Sequence, residues 1–399
     1  MILLNVIVLA VALLVLMPVI FLAIEIAVAA LPARRLVGSE AIESGTVAPR
    51  LAVLVPAHNE ASIIADTINS LQAVLAFDDR VVIVADNCTD DTAAKAAISR
   101  AEVIERTDAD LRGKGYALDF GVRHLANDPP DVVIIFDADC TIDMASIKRI
   151  TAIAAVSGRP VQARYHMELP ATETHSPKQL IAAFAWWLKL TLRQTGLANL
   201  GLPCQLSGTG MAFPWAIISQ MPLRTSEIVE DLTLGLNLAA QGKGALFCAD
   251  AQVVSTFPQS EQGQSSQRTR WETGHLQAIV RHVPRVIMNG IRRGHLGAIG
   301  LALDVAVPPL AFLALMITLV GLVSCFLAIV GGWALPLVVA ISAAIIFSGA
   351  VLAAWFMGGR HVISARDLLA VPGYVLSKLG VYGHALRGGR VAWIKTKRD

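Results

Sequence analysis

The sequence predicts an α/β domain with a mostly parallel sheet, held between apolar segments that cross a membrane. Two observations carry this prediction. Between residues 51 and 140, apolar runs of strand length alternate with helical patterns. Long apolar stretches lie near both ends of the 399-residue chain, which is 55% hydrophobic and 16% charged, with a mean hydropathy of +0.59. That composition is too apolar for an ordinary soluble protein.

Net charge and cysteine usage narrow the class of function. A net charge of +2 argues against a nucleic-acid partner, because such partners attract strongly basic chains. The five cysteines form no CxxC pair and show no metal-ligand spacing. They indicate reduced thiols, as in a cytoplasmic domain.

The first apolar stretch covers residues 2–31. About 20 apolar residues span a bilayer, and this stretch lacks the basic start of a signal peptide and exceeds its usual apolar length. Residues 1–33 are therefore predicted to form a transmembrane helix. Arg34 and Arg35 follow it, and the positive-inside rule places the next domain, residues 45–290, in the cytoplasm.

A second apolar stretch, residues 296–333, contains Asp304, Pro308 and Pro309. A charge is costly at the bilayer centre, and Pro is tolerated best near a helix start. We therefore expect residues 296–306 at the membrane interface, one span beginning near Pro308, and another over residues 335–357. Basic residues flank this region, residues 296–358, on both sides. A multi-pass protein of the inner or plasma membrane is the resulting prediction.

The last segment, residues 359–399, mixes apolar and aromatic residues with five basic residues between Arg387 and Arg398. This pattern predicts an amphipathic segment on an anionic membrane surface. A basic tail without a lipid role is the alternative.

Three stretches of the central domain, 51–60, 81–93 and 131–140, each contain an apolar run that indicates a buried strand. Each ends in polar residues: His58, Asn59 and Glu60; then Asp86, Asn87 and Asp90; then Asp137 and Asp139. Ligands of parallel sheets bind beyond the carboxyl ends of the strands. Three such ends at one edge outline a site.

The sequence FDADC places Asp137 and Asp139 on either side of one alanine. Alternate side chains of an extended segment point to the same side, so the two carboxylates favour a cation between them. Mg²⁺ or Mn²⁺, held by these carboxylates and by substrate phosphates, is the expected use. A solvated turn is the alternative for an isolated DxD, but a buried strand running directly into the motif favours the metal site.

Two further stretches carry chemistry. Arg112 and Lys114 lie between glycines in RGKGYAL, where the backbone can approach a phosphate closely. The chain has neither a GxGxxG nor a GxxxxGK[ST] motif, so no dinucleotide fold or P-loop is indicated. Glu230 and Asp231 precede a helical pattern, and from their position they either favour the helix start or supply a general base.

The motifs occur in the order VPAHNE, VADNCTDD, RGKGYAL, FDADC, GTGMAF, VEDLTLG and QRTRW. This order resembles the membrane-bound inverting glycosyltransferases of family two, which include cellulose, hyaluronan and poly-N-acetylglucosamine synthases and ceramide glucosyltransferases. The resemblance covers about residues 50–275 and extends to the membrane hairpin. It implies a GT-A fold, which is Rossmann-like with a mostly parallel sheet, and a UDP-sugar donor.

The resemblance also implies roles for the matching residues. Those that would bind the nucleotide are Pro56, Ala57, Glu60, Asp86, Lys114 and Asp137. Mn²⁺ or Mg²⁺ would be held by Asp137 and Asp139, with Asp139 as the direct ligand. The catalytic carboxylates would be Glu230 and Asp231, with Asp231 as the base.

The stretch QRTRW matches the family's Q-x-x-R-W motif with Gln267, Arg270 and Trp271. The resemblance places this motif near the pyrophosphate and the acceptor. Arg270 would neutralise the leaving diphosphate, and Trp271 would stack against the acceptor. For an isolated Arg–Trp pair, a cation–π surface contact is the alternative.

Together these residues imply transfer of a sugar by a single displacement, with a β-linked product, onto a membrane-associated lipid or lipid-linked acceptor. Three predicted spans do not readily enclose a polysaccharide pore, which favours a single transfer over a processive polysaccharide synthase. The synthase remains the alternative, and other polysaccharide-assembly subunits would then be partners. A degenerate nucleotide sensor would lack a metal carboxylate or the base, and a nucleotidyltransferase would lack Q-x-x-R-W.

Overall fold

The structure, a computed structural model, describes residues 1–32, 49–172 and 174–386. The chain divides into two compact units. We call residues 49–170 and 203–264 the sheet unit, and residues 1–32, 171–202 and 265–386 the helical unit. Some sequence-based expectations lie outside the described residues: Arg34 and Arg35, the boundary at residue 45, and the basic stretch 387–398.

The helices of the described residues are, in chain order, α1 (Ile2–Ala29), α2 (Ile64–Val74), α3 (Thr92–Ala97), α4 (Lys114–Leu125), α5 (Met144–Ser157), α6 (Pro177–Trp187), α7 (Arg193–Asn199), α8 (Trp215–Ile218), α9 (Glu230–Ala240), α10 (Glu261–Arg281), α11 (Val283–Arg293), α12 (Leu296–Val305), α13 (Leu310–Ile329), α14 (Leu335–Met357), α15 (Val371–Ser377) and α16 (Leu379–Leu386). A π-helix, Leu188–Leu192, joins α6 to α7. Two 3₁₀ turns, Gly359–His361 and Asp367–Ala370, precede α15.

The strands of the sheet unit are β1 (Leu51–Ala57), β2 (Arg80–Asp86), β3 (Glu102–Arg106), β4 (Val132–Ile135), β5 (Cys140–Ile142), β6 (Val161–Glu168), β7 (Met211–Pro214) and β8 (Leu246–Thr256). They form one sheet in the order β3-β2-β1-β4-β7-β6-β8-β5. The pairs among β3, β2, β1 and β4 are parallel, as is β6–β8. Strand β7 runs antiparallel to both of its neighbours, and β5 is antiparallel to β8. The sheet is therefore mixed and mostly parallel, as predicted.

Local sequence explains where the helices of each unit begin. In the sheet unit, the Asp143 side chain accepts a hydrogen bond from the Ser146 amide at 2.7 Å and caps α5. In the helical unit, Ser176 and Gln179 form a capping box in front of α6, whose first residue is Pro177. The buried strands β1 and β4 need no alternation of polar residues, because both are covered along nearly their whole length.

The helical unit contains three helices, among the residues described, that are long and apolar enough to cross a membrane: α1, α13 and α14. Buried apolar residues of these three helices form one core, including Val19 of α1, Leu313 of α13 and Ala343 of α14. The Asn5 side chain accepts a hydrogen bond from the Trp333 amide at 3.1 Å. The start of α1 and the turn between α13 and α14 therefore lie at the same end of this unit.

A buried ionic cluster lies at the other end of α1. The Arg193 guanidinium donates to Glu25 Oε2 at 2.6 Å, to the Asp304 carbonyl at 2.7 Å and to the Asp304 carboxylate. All three residues are at most 2% exposed. Asp304 lies within an apolar stretch of the sequence, where a charge without a partner is costly. In the structure Arg193 supplies the cation that pairs with it.

Candidate functional site

The carboxyl ends of β1 and β2 lie side by side in the sheet unit. Pro56 and Ala57 pair in parallel register with Val84 and Ala85, and Asp86 ends β2. Residues predicted from separate motifs to bind the nucleotide thus occupy one sheet edge. Glu60 follows β1, and its amide donates to Thr92 Oγ1 at 2.7 Å, which ties the two strand-end turns together.

Asp86 is buried and held by a cation that sequence reasoning missed. Arg106, the last residue of β3, donates from Nη1 to Asp86 Oδ1 at 2.6 Å. The Asn87 side chain donates to the same oxygen at 3.1 Å. Strand β3 lies next to β2, and Arg106 is opposite Asp86 in their register. The basic residue at the end of β3 is the signal in the sequence that could have indicated this ion pair.

Lys114 and Asp137 form the centre of the site. Lys114 is the first residue of α4, and its ammonium contacts the Asp137 carboxylate and donates to the Gly208 carbonyl at 2.8 Å. The Asp137 amide donates to Thr209 Oγ1 at 3.1 Å, so the GTGM loop holds the DxD segment by its backbone. Lys114 was predicted to meet donor phosphates, and in the structure it contacts a carboxylate.

Asp231 joins this centre at Gly208. A Cβ atom on Gly208 would lie 3.4 Å from Asp231 Oδ2, 3.4 Å from Lys114 Nζ and 4.0 Å from Asp137 Oδ2. Gly208 has a φ of +86°, which L side chains rarely adopt. The glycine therefore leaves open the space on which the three charged groups converge. We refer to Lys114, Asp137, Glu230 and Asp231 as the acidic cluster.

The charges of the acidic cluster perturb one another. Although desolvation opposes the shift, the negative charges of Asp137, Glu230 and Asp231 raise the pKa of Lys114 above its usual value. Burial, followed by the charge of Asp231, raises the pKa of Glu230 to about 8, against the attraction of Lys114. Glu230 therefore carries its proton at neutral pH, while Lys114 stays charged.

Asp139 is positioned by a different element. Its Oδ2 accepts a hydrogen bond from Ser255 Oγ of β8 at 2.9 Å. Among the residues that the structure describes, no three His, Cys, Asp or Glu side chains are grouped to hold a metal ion. The donor set of Asp137 and Asp139 still fits Mn²⁺ or Mg²⁺, because these ions are often bound by one or two carboxylates together with substrate phosphates.

The Q-x-x-R-W residues lie on α10, which passes from the sheet unit into the helical unit after Gln264. Gln267, Arg270 and Trp271 belong to the helical unit, so the acidic cluster of the sheet unit does not include them. Their spacing of three and four residues puts them on one face of the helix. Gln267 is buried, and the Trp271 ring packs against Trp186 with centroids 4.5 Å apart.

The sheet unit thus combines a mostly parallel sheet with a charged, mainly acidic cluster at its carboxyl edge, the edge at which α/β proteins commonly bind ligands. Comparison with known proteins identifies the family of the chain. Residues 49–274, more than half of the chain, match the model of the family "Glycosyltransferase like family 2". The chain belongs to this family, and its sheet unit has the predicted GT-A-like fold.

Solved structures extend the comparison beyond the family domain. A mannosyltransferase from Pyrobaculum calidifontis, in complex with GDP-Man and Mn²⁺, is similar over 96% of this chain and 100% of its own, with 16% identity and a TM-score of 0.59. Glucosyl-3-phosphoglycerate synthase from Mycobacterium tuberculosis, in complex with Mn²⁺, UDP and phosphoglyceric acid, is similar over 56% of this chain and 75% of its own, with 21% identity and a TM-score of 0.36. No curated protein matches the chain. Because the mannosyltransferase is only 16% identical to this chain, the similarity to it shows the fold alone.

Proposed function

We propose that the protein is a membrane-bound inverting glycosyltransferase that moves a sugar from a UDP-sugar to a lipid or lipid-linked acceptor. The convergence of Lys114, Asp137 and Asp231 on Gly208 carries this proposal. A family-two domain with this cluster holds the charges that a nucleotide-sugar reaction needs: a cation for phosphate and carboxylates for a metal and for a proton. The three apolar helices support a membrane-associated acceptor.

The proposed division of labour follows the sheet edge. Pro56, Ala57, Glu60 and Asp86 hold the nucleoside. Asp137 and Asp139 hold Mn²⁺ or Mg²⁺, which would stabilise the negative charge of the leaving diphosphate. The cytoplasmic side of the inner or plasma membrane is the proposed location, because nucleotide sugars and the reduced cysteines belong to that compartment.

Asp231 is the proposed general base. Its Oδ2 faces the open space at Gly208, on which Lys114 and Asp137 also converge. Asp231 takes the proton of the acceptor hydroxyl, whose oxygen forms a bond to the anomeric carbon. The bond from that carbon to the diphosphate oxygen breaks, and the nucleoside diphosphate leaves with its electron pair. A single displacement converts an α-linked donor into a β-linked product.

Arg270 and Trp271 complete the proposal from the helical unit, with Gln267 beside them on the same face of α10. Arg270 offers a planar fork of donors that suits a diphosphate. Trp271 offers an aromatic face to the acceptor. A processive polysaccharide synthase, with other assembly subunits as partners, is the competing function, and the size of the product distinguishes it.

Donor use tests the proposal. The full chain is reconstituted in nanodiscs of phosphatidylcholine mixed with a total lipid extract as the source of acceptors. It is incubated with individual UDP-sugars and with GDP-mannose, with Mn²⁺ or with excess EDTA, and release of nucleoside diphosphate is measured. We expect release with at least one UDP-sugar, loss of release in EDTA, and loss of both release and Mn²⁺-dependent UDP binding in Asp139→Asn. The exposed Asp78 provides the control Asp78→Asn, which should match the wild type.

Three results would contradict parts of this proposal. Full activity of Asp139→Asn, or activity in excess EDTA, would exclude the metal assignment. Release from GDP-mannose alone would replace the UDP-sugar donor. No release from any nucleotide sugar would exclude the transferase.

A further inference from the structure

The helical unit contains a cavity of about 190 Å³. Two of its walls come from helices that can span a membrane, with Ala311 and Ala314 on α13 and Phe347 and Val351 on α14. These side chains offer no hydrogen bonds, so a sugar placed against them would leave its hydroxyls unpaired at a cost. A hydrocarbon chain loses nothing there and is removed from water.

Part of the cavity lining is polar. Its charged and polar side chains include Lys189, Arg193, Arg268, Glu272 and His275. Lys189 lies on the π-helix, a distortion that often marks functional sites. Lys189 thus lines the cavity from the π-helix that joins α6 to α7.

His275 holds Lys189 without cancelling its charge. The His275 Nε2 atom is 2.8 Å from the Val305 carbonyl, which can only accept a hydrogen bond, so Nε2 carries the proton. The other ring nitrogen, Nδ1, is 3.1 Å from Lys189 Nζ and accepts from it. Burial and the nearby Lys189 charge lower the pKa of His275 well below its usual value, so the ring is neutral.

Other charged side chains of the lining belong to ion pairs. Arg193 pairs with the buried carboxylates of Glu25 and Asp304. Glu272 pairs with Lys378, whose Nζ lies 2.8 and 2.9 Å from its two oxygens. Lys189 instead donates to the neutral His275 ring, and a cation held in this way suits a negatively charged ligand group.

Two tryptophans, Trp186 and Trp271, also line the cavity, and their rings are 4.5 Å apart. Tryptophan is common where one side of a site is apolar and the other is wet. Trp271 is also the last residue of the Q-x-x-R-W motif, so the cavity lies beside a residue proposed to meet the acceptor.

We propose that this cavity binds a lipid that carries a phosphate headgroup, with the phosphate at Lys189 and the beginning of the hydrocarbon chain between α13 and α14. An apolar cavity of 150 Å³ is known to hold a benzene molecule, so about 190 Å³ accommodates the first six to eight carbons or so. The rest of the chain lies among the bilayer lipids. This lipid is the acceptor of the transfer described above, and that assignment rests on the proposed function.

Binding is tested without any sugar donor. The full chain in phosphatidylcholine nanodiscs is titrated with radiolabelled farnesyl monophosphate, with farnesol, and with inorganic phosphate. Lys189→Met keeps an unbranched side chain only one atom shorter and removes the charge, so it should weaken farnesyl phosphate binding by about 10-fold or more and leave farnesol binding unchanged. Ala314→Trp fills the apolar wall and should weaken both. Lys178, exposed on α6, gives the matched control Lys178→Met, which should change neither.

Several outcomes overturn the inference. Farnesyl phosphate binding by Lys189→Met within two-fold of the wild type removes the headgroup site. Unchanged binding by both Ala314→Trp and the milder Ala314→Leu removes the chain site. Inorganic phosphate that binds as tightly as farnesyl phosphate shows that no lipid is recognised. A thermal melt of each variant separates lost binding from lost folding.

The two proposals fail separately. If nucleotide sugars are hydrolysed or transferred but these variants bind lipid normally, the cavity is not the acceptor site and the transferase stands. If lipid binding depends on Lys189 but no nucleotide sugar is used, the lipid site stands and the proposed function does not.

Discussion

Replacing Asp231 with Asn separates catalysis from folding. The change removes one negative charge and keeps the shape of the side chain. Asp231 Oδ2 and Lys114 Nζ each lie 3.4 Å from the position of a Cβ on Gly208, so they are at most about 6.8 Å apart. At an effective dielectric constant of about 20, that distance corresponds to an attraction of at least roughly 2.4 kcal/mol.

Most of this attraction should not appear as a loss of stability. Asp231→Asn also removes the repulsion between Asp231 and its acidic neighbours, Asp137 and Glu230. What remains is the interaction of a carboxylate with the first turn of α9, worth roughly 0.3–1 kcal/mol. Asp66 lies exposed in the first turn of α2, so Asp66→Asn is a matched control for the interaction of a carboxylate with a helix start.

Loss of a general base is a larger effect. It should lower turnover by about 10²- to 10⁴-fold, while binding of UDP stays intact. Turnover is measured as UDP release in the presence of the acceptor lipid, affinity by titration with UDP and Mn²⁺, and stability by a thermal melt. Turnover within two-fold of the wild type, or a loss of UDP affinity that matches the loss of turnover, would refute the assignment of the base.

Three further predictions concern other parts of the chain. The raised pKa of Glu230 gives the folded protein a contribution to stability that is fully present below pH about 4.5 and is lost as the pH rises through about 8. Glu230→Gln removes this contribution, so its melting temperature should fall less steeply from pH 5 to 9 than that of the wild type. Equal slopes for the two proteins would contradict the raised pKa. Arg270→Ala should impair both transfer and hydrolysis of the donor by water, whereas Trp271→Ala should lose transfer and keep hydrolysis; parallel losses in Trp271→Ala, with a lower melting temperature, would show that Trp271 only packs against its neighbours. Arg193→Met should destabilise the protein by roughly 3–5 kcal/mol, because it leaves two buried carboxylates without their cation, and a loss below about 1 kcal/mol in a denaturant titration would contradict this.

The sheet edge was predictable because its signal is local. A buried strand that ends in a polar turn is visible in ten residues, and parallel strands bring such ends to one side. The sequence therefore predicts Pro56 and Asp86 at one edge, and the register of β1 and β2 confirms that their strand ends meet. The antiparallel strand β7 was not predicted, because its four residues carry no usable periodicity.

The partners of these residues could not be predicted, because they depend on distant chain segments. Lys114 meets the Gly208 carbonyl across 94 residues, and Arg193 meets Glu25 across 168. No local pattern encodes such contacts. The Q-x-x-R-W residues show a related limit: their sequence spacing fits one helical face, but only the structure shows Trp271 packed on Trp186. Their roles toward the pyrophosphate and the acceptor remain predictions.

The chemical identity of the product tests the proposed transfer most directly. The full chain in nanodiscs that contain farnesyl phosphate receives a sugar-labelled nucleotide donor, and the label is followed into the organic phase, where the anomeric configuration is read by NMR. We predict one sugar per lipid, β-linked from an α-linked donor, and no such product with Asp231→Asn. A label found only as free sugar, in a long water-soluble polymer, or on lipid with the α configuration would contradict inverting transfer to a membrane lipid.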